Sequence, residues 1–339
     1  MAASATNTPA GSDMRSVLLL LTAGLLAAAE PLNLVASVPD LGDLATRVGG
    51  DAVRVTTLAR GDEDPHSVEP RPAFVTALAK ADALLEIGLD YDTHWLDEAG
   101  ATRAGLVRLK THEAVDIIKA PSKDGHDHHG HGHAGHQHAE GNPHFLCDPV
   151  AGAQVCLALG AALGRLRPAD QAAFTSRAEA TALDLAEALV GPAAVARVGR
   201  EGTLAALANN DLRPFQGPDL AGWMGRLKPL AGVPLIADHD GWPYLARRFD
   251  LALVAFLEPE PGVPTSTSHL AGIVAKSKTL GVRGLLVSPW ADNRQVQTVA
   301  KAIERPVAIL APQTGALAAA SGYRATIETN VAALEAVTR

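Results

Sequence analysis

The sequence predicts an α/β protein of two βα lobes, each built around a parallel sheet, with a long linker helix between them. Short segments rich in apolar and β-branched residues alternate with helix-forming segments in both halves of the chain, as is typical of parallel βαβ units. Between the halves, residues 168–191 form one long helix-forming stretch. Ligands of such folds bind outside the carboxyl ends of the strands, so we expect the functional site in the cleft between the lobes.

The first 29 residues are predicted to be an N-terminal extension and a secretory signal peptide. Residues 14–31, MRSVLLLLTAGLLAAAEP, combine Arg15, a short apolar run and small residues at 27–29, which is the layout of such a peptide. A buried helix is the alternative, and the run is too short to indicate a membrane span. We therefore expect an exported, soluble chain that begins near Glu30.

Residues 30–166 are predicted to form the first lobe. Its expected strands lie at 33–40, 51–59, 82–88 and 105–110, and its expected helices at 41–50 and 71–81. Residues 124–140 interrupt this pattern, because the run GHDHHGHGHAGHQH (125–138) contains seven of the 13 histidines and no apolar positions that could pack a core. Such a low-complexity run predicts a loop.

The linker helix is predicted at 167–191 and the second lobe at 192–339. Strands are expected at 233–239, 251–258, 282–289 and 306–312, each followed by a helix, and the last helix at 323–338. The strand-helix order matches that of the first lobe, so we expect a second parallel sheet.

Composition excludes some classes of partner. The net charge is −8, no run of Lys or Arg stands out, and aromatic residues make up only 4%, so nucleic acid is not an expected partner.

Cys147 and Cys156 are nine residues apart. In an exported protein they could form a disulfide, or they could pack as two thiols, and the sequence leaves both open.

Three histidines outside the loop stand where a metal site would need them. His66 in GDEDPHSVEP and His144 in EGNPHFLCDP each follow a proline, which stiffens the backbone around the imidazole. His239 closes the strand 233–239, in the other half of the chain. Three neutral imidazoles from both sides of a cleft suit Zn²⁺, although each alone could be an ordinary solvated histidine. The contexts of His94, His112 and His269 indicate a metal site less strongly.

Four stretches of the chain form a combined pattern. They are the pairs Pro65-His66, Glu69-Pro70, Ala81-Asp82 and Gly88-Leu89 with Trp95, then NPHFLCDP, then ADHDGWPYLARRFDL, and then LEPEPGVPTSTSHLAGIVAK. In this pattern the chain resembles, from about residue 32 to residue 320, the metal-binding solute receptors of ABC importers, the zinc/manganese uptake family with two α/β lobes and one long helix. Residues 199–225 resemble the family least and look like an insertion.

The resemblance implies that His66, His144 and His239 bind the metal. Its members often supply a carboxylate after the last strand, where this chain has Ala311, and many have Glu-Pro where this chain has Ser288. The fourth position is therefore open to water, with Asp64, Asp240 and Gln313 as lesser candidates. Because Mn²⁺ prefers oxygen ligands, the loss of a carboxylate favours Zn²⁺ over Mn²⁺.

The resemblance also implies a function. It indicates a periplasmic, monomeric receptor that delivers Zn²⁺ to an ABC permease in the inner membrane and is not an enzyme. A zinc buffer without a transporter and a zinc hydrolase with a three-histidine site are the alternatives, although the sequence has no HExxH motif. The loop is predicted to collect zinc through His126, His128, His129, His131, His133, His136 and His138. A solvated linker with incidental affinity for metal is the alternative.

Overall fold

A computed structural model describes residues 1–2, 30–119, 141–259 and 265–337. Met1–Glu30 and Pro31–Arg339 form two separate units, and the second unit is described here. Most of the predicted signal peptide and all seven histidines of the predicted loop lie outside the described residues.

The first sheet is parallel and has the strand order β2-β1-β3-β4. Its helices α1 and α2 each have a proline in the first turn, where the missing amide hydrogen is not needed. The elements are β1 (Leu32–Ala36), α1 (Pro39–Gly49), β2 (Val53–Thr57), α2 (Pro72–Lys80), β3 (Ala83–Glu86), α3 (Thr93–Glu98) and β4 (Val107–Lys110).

Two long helices follow the first sheet and pack against each other and against α1. They are α4 (Pro149–Leu166) and α5 (Gln171–Val190), and α5 lies within the predicted linker 167–191. Among the described helices, α4 alone is long and apolar enough to cross a bilayer, but 72% of it is buried inside the protein, as in a core helix.

The second sheet is also parallel, with the order β6-β5-β7-β8. Two parallel four-stranded sheets with helices confirm the predicted fold class, whereas the exact lobe boundaries stay a prediction. The elements after α5 are α6 (Pro192–Val198), α7 (Arg200–Ala208), α8 (Gly222–Leu227), β5 (Pro234–Ala237), α9 (Pro243–Phe249), β6 (Ala252–Phe256), α10 (Thr267–Leu280), β7 (Gly284–Val287), α11 (Asn293–Ile303), β8 (Val307–Ile309) and α12 (Tyr323–Val337).

The largest apolar cluster contains residues of both lobes. Ile87 and Phe145 belong to it together with Trp242 and Leu310 from around the second sheet, and all four are at most 2% exposed. Two smaller clusters lie within one lobe each. The lobes therefore share a packed core next to the carboxyl ends of their strands.

Candidate metal centre

Two of the three predicted ligands stand on short segments beyond strand ends, and the third stands just before a helix. His66 lies in a 3-10 turn (Pro65–Ser67) after β2, and the Asp64 side chain accepts a 3.0 Å hydrogen bond from the His66 backbone N–H. His144 precedes the 3-10 turn that leads into α4, and His239 follows β5 by two residues. Short turns therefore carry His66 and His144, each directly after a proline that stiffens the backbone, while His239 is carried by the end of β5.

The structure brings these three histidines together. One ring nitrogen from each lies within 4.8 Å of the other two, and Nε2 of His66 is 3.1 Å from Nε2 of His144. Two nitrogens bound at about 2.1 Å to one tetrahedral zinc ion lie about 3.4 Å apart. His144 is 8% exposed and the other two rings are partly buried. The arrangement can hold one ion with three nitrogen ligands.

The imidazole of His144 is oriented by Asn142. The Asn142 side-chain oxygen accepts from the His144 backbone N–H at 2.9 Å and lies 3.0 Å from Nδ1. The amide nitrogen of Asn142 donates to the Asp240 carbonyl at 2.7 Å, which fixes the orientation of the amide. Because that oxygen can only accept, Nδ1 carries the proton and Nε2 offers its lone pair.

The imidazole of His239 is held by the buried carboxylate of Asp238. Oδ1 lies 3.1 Å from Nδ1 of His239, and Oδ2 accepts from the backbone and the hydroxyl of Ser288 at 2.6 and 2.7 Å. Burial opposes both charges, but the hydrogen bond and charge pairing outweigh it, so the pKa of His239 rises to about 9 and the pKa of Asp238 falls to about 2. Nε2 is the nitrogen of His239 left for a metal.

Neighbouring groups constrain the site further. A Cβ atom on Gly241 would lie 2.6 Å from Nε2 of His239, so only glycine leaves room for this imidazole. The Tyr91 ring lies edge-on to His66 and His144, with centroids 4.8 and 5.4 Å apart. Burial, followed by the charge of Asp64, raises the pKa of Tyr91 well above 10. Tyr91 therefore lines the site as a neutral phenol.

The predicted candidates for the fourth ligand are in different situations. Within the described residues, the group of clustered ligand atoms contains no carboxylate. Burial raises the pKa of Asp64, whose side chain already bonds the His66 backbone. Gln313 Oε1 and Asp240 Oδ1 are buried and have no hydrogen-bond partner among the described residues. The fourth position therefore stays open to the same candidates as before.

Gln313 has a second role that the sequence did not indicate. Its amide nitrogen donates to the carbonyls of Arg60, Gly61 and Glu63 at 3.2, 3.3 and 2.8 Å. These residues belong to the loop between β2 and His66. A residue that follows β8 thereby holds the backbone that carries His66.

Sequence reasoning also missed Tyr91, Asn142 and Asp238. The signal for Asn142 and Asp238 was available, because each stands one or two residues before a candidate histidine and carries an oxygen that can accept from Nδ1. The signal for Tyr91 was its place beyond the carboxyl end of β3.

The remaining candidates lie elsewhere. Nδ1 of His112 is hydrogen-bonded to the Ile87 carbonyl, and Nε2 of His269 is hydrogen-bonded to the Phe256 carbonyl. The side chain of His94 is exposed. Cys147 and Cys156 are buried and free, so the structure has two packed thiols and no disulfide between them. The seven histidines at 126–138 lie outside the described residues.

Comparison with known families adds a second line of observation. The sequence profile of the family described as zinc-uptake complex component A, periplasmic, matches residues 34–189 and 221–337. The gap at 190–220 overlaps the predicted insertion at 199–225, and the structure shows that this segment folds as helices α6 and α7.

Two characterised relatives match over short stretches. The manganese-binding lipoprotein MntA of Halalkalibacterium halodurans is 28% identical over 100 residues, 30% of this chain and 33% of the relative. The high-affinity zinc uptake system protein ZnuA of Paracoccus denitrificans is 35% identical over 81 residues, 24% of each chain. The matches thus span about a third and a quarter of these relatives.

Solved structures share the fold at low sequence identity. A crystal structure of ZnuA is 19% identical with a TM-score of 0.65, covering 91% of this chain and 96% of that one. The laminin-binding adhesin of Streptococcus agalactiae, in a mutant form, is 17% identical with a TM-score of 0.68, covering 91% of this chain and 100% of that one. FpvC of Pseudomonas aeruginosa in complex with Mn²⁺ is 19% identical with a TM-score of 0.67, covering 91% of this chain and 98% of that one. All three support the same two-lobed fold.

Proposed function

The chain belongs to the family of the periplasmic zinc-uptake component A, and on this premise we propose that it captures Zn²⁺ in the periplasm and delivers it to the permease of an ABC importer. Members of this family are metal-binding receptors of such importers rather than enzymes. The observation that carries the proposal is the convergence of three imidazoles from separate segments within 4.8 Å.

His66, His144 and His239 are the proposed ligands. For two of them, Asn142 and Asp238 occupy Nδ1 and leave Nε2 for the ion. Three nitrogen donors with one further position correspond to an ordinary zinc coordination. The fourth ligand is proposed to be water, with Asp64, Asp240 and Gln313 as the alternatives.

Zinc is the proposed cargo, although relatives include a manganese-binding protein. Mn²⁺ prefers oxygen ligands, whereas imidazole suits Zn²⁺. Among the described residues, the clustered ligand atoms are all imidazole nitrogens. Zinc should therefore displace manganese in competition.

The binding site is tested by titrating zinc against a chromophoric chelator. We expect one tight ion, lost in His66→Ala, His144→Ala and His239→Ala, and retained in the control His269→Ala. Deletion of residues 124–140 should reduce the number of weakly bound ions and leave the tight ion in place. Tight binding that survives all three histidine substitutions would rule out this ligand set.

Delivery is tested separately from binding. Cells that contain the importer's permease and ATPase but lack its receptor should regain zinc uptake when this chain is exported to their periplasm. A chain that binds zinc tightly without restoring uptake would favour the alternative of a periplasmic zinc buffer.

A further inference from the structure

We propose that the ion pair between Arg248 and Asp148 is a positioning element of the metal centre, which holds the His144 segment against the helix that follows His239. The inference rests on the proposed function, because it concerns the geometry of the same three-histidine site. It concerns two residues that lie outside the proposed ligand set.

The pair is buried and bidentate. Arg248 Nε donates to Asp148 Oδ1 and Nη2 donates to Oδ2, both at 2.7 Å. The Arg248 side chain is 9% exposed and the Asp148 side chain is 1% exposed. Paired, parallel hydrogen bonds fix the relative orientation of the two groups as well as their distance.

Each partner is attached to a ligand segment. Asp148 lies four residues after His144, and its carboxylate also accepts from the Val150 backbone N–H at 2.9 Å, which caps α4. Arg248 lies in the last turn of α9, nine residues after His239. The ion pair therefore connects the start of α4 to α9.

The same helix also holds the other side of His144. The Tyr244 hydroxyl donates to the Asn142 carbonyl at 2.8 Å, and the Asn142 amide donates to the Asp240 carbonyl at 2.7 Å. The His144 segment is thus attached to the His239 segment at Asn142 and again at Asp148. A segment held on both sides of its ligand has little freedom to move the imidazole away from the other two.

A third partner comes from the segment that the family profile does not match. Arg248 Nη2 donates to the side-chain oxygen of Asn210, and residues 190–220 are the unmatched part. The turn before Asn210 is held by Gln154 of α4, which donates to the carbonyls of Leu207 and Ala208. This unmatched segment therefore supplies a further acceptor to the Arg248 guanidinium.

The test replaces both charges at once, because removing one partner would leave an uncompensated buried charge. Arg248→Met with Asp148→Asn removes the ion pair and keeps a residue that can cap α4. The matched control is Arg108→Met with Glu86→Gln. That pair is also bidentate, with Glu86 fully buried, but it joins β4 to β3 within the first sheet.

We expect the Arg248/Asp148 variant to bind zinc about tenfold or more weakly, as for other residues that orient ligands, and the control variant to retain wild-type affinity. The visible spectrum of the Co²⁺ form should change only in the first variant, since it reports coordination geometry. In the metal-free protein, amide hydrogens of residues 142–148 should exchange faster in the first variant than in the control.

Wild-type zinc affinity, Co²⁺ spectrum and exchange rates in a folded Arg248/Asp148 variant would overturn the inference. If that variant does not fold, Arg248→Lys decides, because lysine keeps the positive charge beside Asp148 but cannot make the two parallel hydrogen bonds of the pair. Weaker zinc binding then supports the inference, and unchanged binding overturns it. A wild-type protein without a tight zinc site would refute the proposed function, while the exchange rates would still test the ion pair.

Discussion

Nε2 of His66 faces Nε2 of His144 at 3.1 Å, although 78 residues separate the two histidines in the chain. Asn142 accepts from Nδ1 of His144, so in the neutral ring Nε2 is an acceptor and the bridging proton belongs to His66. An ion that binds both nitrogens must displace that proton. A neutral His66 ring can carry that proton on Nδ1 instead, whereas a protonated histidine must lose a proton to bind the ion, so metal capture by the proposed site competes with protonation of its histidines.

The competition predicts that zinc affinity depends on pH over a higher range than for ordinary histidines. Asp238 raises the pKa of His239 from 6.5 to about 9, so this ring is protonated at pH 7 without metal. Zinc affinity should rise as the pH increases from 7 to 9 and then level off. In Asp238→Asn, zinc affinity should level off at a lower pH, because the carboxylate that raises the pKa of His239 is lost. Zinc titrations at four pH values check this, and an affinity that is constant above pH 7 would contradict it.

Asn142→Ala should weaken zinc binding by about 10- to 100-fold, the usual effect of losing a group that orients a metal-binding histidine. The variant loses the acceptor for Nδ1 of His144 and the bond to the Asp240 carbonyl. Nitrogen-15 NMR of the metal-free wild type should show the His144 proton on Nδ1, and the variant should show a mixture of tautomers. An unchanged tautomer would contradict the orienting role of Asn142.

Gly241→Ala should weaken zinc binding about tenfold or more with little effect on folding. The added Cβ would lie 2.6 Å from Nε2 and 2.9 Å from Cε1 of His239, so the imidazole must turn away. Gly272→Ala is the control. Gly272 lies inside α10, and its new Cβ would have no atom of another segment within 4 Å. This substitution should stabilise the protein by about 0.5–1 kcal/mol without changing zinc affinity.

The sequence predicted those parts of this site that depend on local patterns. The alternation of strands and helices indicated the sheets, and a proline before His66 and before His144 indicated stiff turns. It did not predict α3, whose six residues are too few for a clear helical period. Local patterns also do not show which distant segments meet, as Gln313 meets the loop at Arg60–Glu63.

Ser288 shows how the sequence and the structure can indicate different roles for one residue. In the sequence it stands where many members of the family have Glu-Pro, so it indicates the loss of a carboxylate. In the structure its backbone and hydroxyl both donate to Asp238, which holds His239. Ser288 thus acts on the proposed ligand His239 through Asp238, 50 positions away in the chain, which the pairing of β5 with β7 brings within reach.

The two cysteines should be unreactive in the folded protein. Burial raises the pKa of both thiols, that of Cys156 to about 12, and the thiolate is the reactive form. A chromogenic disulfide reagent should therefore label no thiol in the native protein and two in denaturant. Two labelled thiols without prior reduction would confirm packed thiols, whereas none would indicate a disulfide.

Asp40 should make the protein less stable at neutral pH than in mild acid. It lies in the first turn of α1, 3% exposed, where its carboxylate accepts from the backbone and the hydroxyl of Thr314. Burial raises its pKa from 3.8 to about 6, against the opposing effect of these hydrogen bonds. A folded-state pKa above the unfolded value means that the stabilisation is complete below pH 3.8 and is lost as the pH rises through 6.

This shift corresponds to about 3 kcal/mol, and Asp40→Asn does not ionise. Relative to wild type, the free energy of unfolding of Asp40→Asn should therefore improve by about 2.4 kcal/mol between pH 4 and pH 7.5, because the unfolded carboxyl is already partly ionised at pH 4. Denaturant unfolding of the metal-free proteins at both pH values measures this. Asp211→Asn is the control, because Arg213 lowers the pKa of Asp211 to about 2, so its effect should be the same at both pH values. An equally constant difference for Asp40→Asn would show that the buried carboxyl does not titrate in this range.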